Sequence, residues 1–187
     1  MWEELLQLDQ QWIIFLNNLG SETYDPFWAQ ITKTLTWSPL FLLVIYQLYR
    51  TTPLKTFLRI IVEVTLLILL VQFVVFQVKT NTMRLRPNND PMIQSLLRKV
   101  ISPSSYSFFS GHASTSFAAA TFLYLVGRKY YRYIAIIFLW SIFYTYSRLY
   151  LGVHYLSDIL VGIIFGILLG SAFYRIHNIK YKKIQYS

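Results

Sequence analysis

"FLRIIVEVTLLILLVQFVVFQV", residues 57 to 78, holds only two charged side chains, Arg59 and Glu63, both near its start. A helix rises about 1.5 Å per residue, so about 20 apolar residues cross the roughly 30 Å of bilayer hydrocarbon. This stretch is long and apolar enough to do so, which puts the chain among membrane proteins. Further candidates lie on either side. "YIAIIFLWSIFYTY" (133–146) and "ILVGIIFGILLGSAFY" (159–174) become spans once their flanks are included. "FAAATFLYLVG" (117–127) extends back through "HASTS" to make another. The first span is expected from about Phe27 to Tyr49, with Lys33 and Pro39 inside it. Residues 1–19 read as a shorter amphipathic helix lying in the interface. The expected fold is therefore all-α: a polytopic membrane helix bundle of about five spans plus an N-terminal amphipathic helix, one domain over residues 1–187.

Composition agrees. Only 13% of the residues are charged and 55% are hydrophobic, against about 25% charged in a soluble domain. The absence of cysteine removes thiolate metal sites and a cysteine nucleophile. The formal charge of +9 would suggest nucleic acid in a soluble protein, but here it points to an anionic membrane surface and no nucleic acid. Its distribution orients the chain. Arg50, Lys55 and Arg59, then Arg128, Lys129 and Arg132, then Arg175, Lys180, Lys182 and Lys183 fall on one side of a five-span plan. The positive-inside bias makes that side, with the C-terminus, cytoplasmic. Every acid but Glu63 falls on or near the other side.

Three stretches on that outer side carry the polar chemistry: "KTNTMRLRP" (79–87), "SFFSGHAS" (107–114) and "SRLYLGVHYLSD" (147–158). Chain order lets all three meet at one end of the bundle. Lys79, Arg86 and Arg148 would repel one another there unless a multiply charged anion completed them, and phosphate fits. Ser110 and Gly111 precede a helix, whose first amides and dipole favour an anion. His154 and Asp158, four apart, share a helix face, so the carboxylate can orient the ring and leave its other nitrogen as a nucleophile. His112 could protonate a leaving group. Milder readings exist for each piece: His154 and Asp158 as a capping pair, Ser110 as a plain N-cap. A metal held by the histidines and Asp158 is opposed by the three cations. A serine hydrolase lacks its Gly-x-Ser-x-Gly elbow. A non-enzymatic anion or lipid-phosphate carrier would need the cations but not both histidines and Asp158. Arg84, Arg98 and Lys99 are expected at headgroups or solvent, and His177 in the solvated basic tail. Gly162, Gly166 and Gly170 make a flat face for helix packing.

The three stretches, in this order and spacing, resemble the type 2 phosphatidic acid phosphatase (PAP2) superfamily. The resemblance is carried by residues 79–158 and by the helical plan. It implies a metal- and cofactor-independent lipid phosphatase working through a phosphohistidine. By position, His154 is the nucleophile, Asp158 its partner and His112 the general acid. Lys79, Arg86, Ser110, Gly111 and Arg148 hold the phosphoryl group. Phe109 stands where many members have proline before Ser-Gly-His, which puts the rigidity of that loop in question. The expected partners are the bilayer and a lipid phosphate, in a bacterial inner membrane with the site on the outer face. Undecaprenyl pyrophosphate is the first expectation for the substrate. Lipid A 1- or 4'-phosphate comes next, with phosphatidylglycerophosphate and phosphatidate behind; the oligomeric state is open.

Overall fold

The computed structural model describes the backbone of residues 2–185 and the side chains of residues 3–179. Lys180, Lys182 and Lys183 of the basic tail lie outside the described side chains. Helices and short 3-10 turns are the only regular elements among the described residues. The helices are α1 (Trp2–Asn18), α2 (Asp25–Ile31), α3 (Ser38–Thr51), α4 (Leu54–Thr82), α5 (Gly111–Gly127), α6 (Ile137–Tyr150) and α7 (Leu156–Gln185). By length and composition, α4 and α7 can cross a membrane unaided. At 14, 17 and 14 residues, α3, α5 and α6 fall short of the usual span of about 20.

The expected first span is not one helix. It breaks after Ile31 and resumes at Ser38, with Pro39 in the first turn of α3. Proline lacks an N–H and suits a first helical turn far better than an interior, so Pro39 forces the restart. Side chains take the carbonyls this leaves free: Thr36 Oγ1 donates to Gln30 O (2.7 Å) and Trp37 Nε1 to Ile31 O (2.9 Å). Helix α1 is amphipathic, as expected. Asp9, Ile13 and Asn17 form its buried stripe, while Leu8, Trp12, Phe15 and Leu19 point outward. At 17 residues it is about 26 Å long, too short to cross, and it packs on α6 and α7.

Helix α5 is apolar all round and sits among α4, α6 and α7. Its closest neighbour is α7, and the glycine stripe explains the approach. A methyl group placed on Gly162, Gly166 or Gly170 would lie 2.9 Å from Ser110 O, 2.5 Å from Ser114 O or 2.5 Å from Ala118 O. Phe109 is buried and packs on Phe165 of α7, ring centroids 5.0 Å apart, so apolar packing holds the loop where proline was expected. At the opposite end Glu63 accepts from Arg59 Nε (2.8 Å), as the four-residue spacing suggested. His177 corrects the expectation of a solvated residue. It is 1% exposed, its Nδ1 lies 2.5 Å from Glu63 Oε2, and its carbonyl accepts from Arg59 Nη2 (2.9 Å). The tail helix turns that ring inward, between α4 and α5.

Candidate active site

One end of the bundle gathers the last turn of α4, the start of α5, the end of α6 and the start of α7. Two local features aim the chain there. Met83 ends α4 in the left-handed conformation (φ 45), after which residues 84–86 form no regular element and Arg86 is extended. Gly152 (φ +65) makes the tight turn from α6 to α7, where a methyl group would also meet Asn17 Nδ2 at 3.0 Å.

His154 and Asp158 are 1% and 0% exposed. His154 Nδ1 lies 3.2 Å from Asp158 Oδ2, and the same oxygen accepts the Tyr155 N–H (3.0 Å) and the Ser107 hydroxyl. On its other side, His154 Nε2 is 3.2 Å from Arg86 Nη1. A guanidinium can only donate, so Nε2 is the acceptor and Nδ1 carries the proton toward Asp158. The ring is therefore neutral, with its free lone pair on Nε2. Burial, and then the charges of Arg86, Arg148, Lys79 and Arg84, hold its pKa well below the ordinary value of 6.5.

The basic residues at this end divide into two sets. Arg84 bridges Asp158 Oδ1 and Asp9 Oδ2, each at 2.7 Å, and Arg98 pairs with Asp25 at 2.5 Å. Lys79, Arg86 and Arg148 pair with no carboxylate among the described residues. Lys79 Nζ donates to Tyr106 O (2.5 Å) and Ser107 O (3.2 Å). Arg86 donates to Ser105 O (2.6 Å), Ser105 Oγ (3.0 Å) and Val153 O (2.7 Å). Arg148, 4% exposed, donates from Nη1 to Thr32 Oγ1 (2.5 Å), and its buried Nε has no partner. Three converging cations served only by neutral acceptors are a candidate anion site, because burying such charge without a counter-ion is strongly unfavourable.

Ser110 is the N-cap of α5: its hydroxyl accepts the Ala113 N–H (3.4 Å) and its carbonyl accepts the Ser114 N–H (3.0 Å). The Gly111 and His112 amides of that first turn have no intrahelical acceptor, a setting that favours an anion. The Ser110 N–H donates to Asp158 O (3.1 Å), which ties the loop to the start of α7. His112 stacks on Tyr144 at 4.4 Å, and the Tyr144 hydroxyl lies 2.8 Å from Thr34 Oγ1. A cavity of about 680 Å³ begins at Lys79, Arg86, Gly111, His112 and His154 and continues between α3, α4, α5 and α6 down to Leu48 and Ile61. Below the polar end its walls are apolar apart from Gln72 and Thr115. Ile45 of α3 and Phe76 of α4 line it while 42% and 62% exposed, so its mouth opens sideways between those helices.

All eight residues singled out from the sequence thus meet at this end of the bundle. Four contributors were missed: Thr32 and Thr34 from the broken first span, Ser107, and Arg84. No sequence signal set Arg84 apart: two positions from Arg86, it would share a face with it in an extended segment, and only its pairing with Asp158 and Asp9 distinguishes it.

Comparison with known proteins now adds a lineage to the geometry. The family model of the PAP2 superfamily matches residues 60–182. A lipid A 4'-phosphatase of Bacteroides thetaiotaomicron is 32% identical over 180 residues, 94% of this chain and 80% of that protein. The lipid A 4'-phosphatase of Porphyromonas gingivalis is 28% identical over 94% of this chain and 75% of its own length. Among solved structures, Aquifex aeolicus LpxE superposes with a TM-score of 0.68 at 25% identity, over 91% of this chain and 94% of that one. A transmembrane PAP2-type phosphatidylglycerolphosphate phosphatase from Bacillus subtilis superposes at 0.72 with 18% identity, over 94% and 87%, a likeness of fold alone.

Proposed function

The chain belongs to the PAP2 superfamily, and from that premise we propose that it removes a phosphate monoester from a lipid A-type glycolipid through a phosphohistidine. The relatives named lipid A 4'-phosphatases favour this substrate over undecaprenyl pyrophosphate, the first expectation from sequence. The observation that carries the reading is the set of three cations without carboxylate partners, facing a neutral histidine whose lone pair is on Nε2. An apolar slot reaching from that point toward lipid suits a substrate with acyl chains.

In this reading Lys79, Arg86, Arg148, Ser110 and the Gly111 amide hold the phosphoryl oxygens. Arg86 exchanges its contact with His154 for one with phosphate, which frees Nε2. Nε2 attacks phosphorus as the bond to the sugar oxygen breaks, and His112 gives that oxygen its proton. The incoming dianion supplies the negative charge that lets His112 carry a proton among the arginines. Asp158 steadies the His154 ring as it becomes positive. Water then attacks the phosphohistidine, with His112 as base, and releases inorganic phosphate. Catalysis rests on positioning and on the cations facing the equatorial oxygens. The proposed setting is a bacterial inner membrane with the site on the outer face and the C-terminus cytoplasmic, which agrees with the basic connections at 50–59 and 128–132.

The test is phosphate release by purified protein in detergent from lipid A, undecaprenyl pyrophosphate, phosphatidylglycerophosphate and phosphatidate, with mass spectrometry to locate the phosphate lost from lipid A. Preference for lipid A, abolished in a folded His154→Ala variant, is the expected result. Preference for a pyrophosphate, or a folded His154→Ala that turns over normally, would overturn the reading.

A further inference from the structure

Asp158 has no exposure to water, yet Lys79 and Arg86 nearby point to neutral acceptors instead of to it. Its counter-charge is Arg84, whose Nη1 donates to Asp158 Oδ1 (2.7 Å) and to Ser157 Oγ (2.8 Å). The other arm of that guanidinium, Nη2, donates to Asp9 Oδ2 (2.7 Å) on α1. Asp9 is itself fixed. Its Oδ1 accepts the Ser157 N–H at the start of α7 (2.9 Å), and its Oδ2 accepts the Ser157 hydroxyl. The plane of Arg84 is set from a third side by the Tyr155 ring at 3.9 Å, whose hydroxyl donates to Asp90 (2.7 Å). The Arg84 carbonyl accepts the Ser107 N–H (2.8 Å), and the Ser107 hydroxyl returns to Asp158 Oδ2.

We propose that Arg84 and Asp9 are positioning residues for the reaction, and that α1 is part of the active site although no atom of it reaches the cavity. The inference rests on reading His154 and Asp158 as the reacting pair. The chain His154–Asp158–Arg84–Asp9 dedicates one cation to the carboxylate. It thereby releases the other three for phosphate and fixes the oxygen that the His154 Nδ1 proton meets. A buried charge stripped of one partner seeks another. Without Arg84, the nearest substitutes for Asp158 are Lys79 and Arg86, and either would be drawn away from the phosphate. Asp9 acts one step further out. Without its carboxylate, Arg84 keeps its charge but loses its second anchor, and with it the single geometry that serves Asp158.

A plain structural staple between α1 and the bundle predicts loss of stability alone, so the test reads kinetics and the ring proton separately. Phosphate release from lipid A is measured for Arg84→Met, Arg84→Lys and Asp9→Asn in detergent, with inorganic phosphate as inhibitor and thermal stability recorded alongside. For Arg84→Met the expected fall in kcat is about 10- to 100-fold, the range for residues that orient a working group. KM and the inhibition constant for phosphate should rise by a smaller factor than kcat falls, because one cation is drawn toward Asp158 while the others still hold the phosphate. Asp9→Asn should lose about tenfold in kcat, and Arg84→Lys should recover part of the Met variant's loss. A folded Arg84→Met with wild-type kcat overturns the proposal. So does one whose KM rises at constant kcat, which would make Arg84 a further phosphate holder. Should Arg84→Met not fold, the isosteric Asp9→Asn decides alone.

Failure of the substrate reading is told apart by NMR of protein carrying 15N-labelled histidine. The hydrogen-bonded Nδ1 proton of His154 should be visible in the wild type and broadened or lost in Asp9→Asn. A resonance unchanged in that variant counts against the proposal whatever the substrate is.

Discussion

Substituting Gly166 by alanine tests how rigidly α5 and α7 hold the two halves of the site. The new methyl group would sit 2.5 Å from Ser114 O, 3.0 Å from Ala118 N and 3.1 Å from Phe117 Cβ. Two of these are backbone atoms of a buried helix and cannot turn aside. Real Cβ contacts essentially never fall below 3.0 Å, so α7 must withdraw by about half an ångström. Overpacking of this kind costs about 1–3 kcal/mol. Replacing an interior helical glycine by alanine returns about 1 kcal/mol of propensity. The net loss is between zero and about 2 kcal/mol, or up to roughly 8 °C in Tm for a chain of this size. Gly170→Ala clashes equally, but a helix already displaced accommodates both methyl groups. The double variant should therefore lose less than the two single losses together. Gly162→Ala presses on Ser110 O itself, at 2.9 Å, and should lower kcat about tenfold, since small misplacements of reacting groups are expensive. Thermal denaturation in detergent, followed by size-exclusion chromatography, reads the first two effects, and phosphate release reads the third. A rise in Tm for Gly166→Ala would refute the reasoning. It would mean that the interface yields freely and only helix propensity registers.

Other expectations are direct. His112→Ala should cripple release from lipid A yet retain much more activity on p-nitrophenyl phosphate, whose leaving group scarcely needs a proton; equal losses on both would remove His112 as the acid. Activity should survive EDTA, and a loss restored by Mg²⁺ would require a metal in the mechanism. Burial and the surrounding cations favour the uncharged form of His154, so its ring should stay neutral as pH falls through 6.5, as read by NMR of the ligand-free protein. Titration at the ordinary value would contradict the assigned environment. Cysteine at exposed Asn89 should react with an impermeant maleimide in intact spheroplasts, and cysteine at exposed Arg132 only after lysis; the reverse pattern would invert the proposed orientation.

The sequence displayed the site better than its supports. Lys79, Arg86, His112, Arg148, His154 and Asp158 were legible because ionisable groups are expensive near lipid and their segments abut apolar runs, and Ser110 and Gly111 because they lead into an apolar helix. The partner of each cation was not. Arg84 and Arg86 are the same residue type two positions apart, and only the folded position of Asp9, far away in sequence, separates their tasks. The broken first span was half visible in Pro39. That Thr32 and Thr34 on its rim would reach Arg148 and Tyr144 depends on where α2 docks, which no local pattern encodes. His177 looked solvated because its neighbours are basic. Its burial follows from the helical phase of α7, which turns that one position toward Glu63 and Phe122.

In the proposed reaction, the sideways mouth between Ile45 and Phe76 gives the two products different exits. Inorganic phosphate departs into water from the polar end. The dephosphorylated lipid has lost only its grip on Lys79, Arg86 and Arg148 and keeps every apolar contact along the slot. Its departure is a diffusion step within the plane of the bilayer, governed by viscosity and by the surface density of competing lipids, not by bulk concentration. Below saturation, turnover should therefore follow the mole fraction of substrate lipid in a micelle or vesicle, and it should slow as the host bilayer stiffens. Effective inhibitors would combine a phosphate mimic with a single flexible tail, occupying both exits at once.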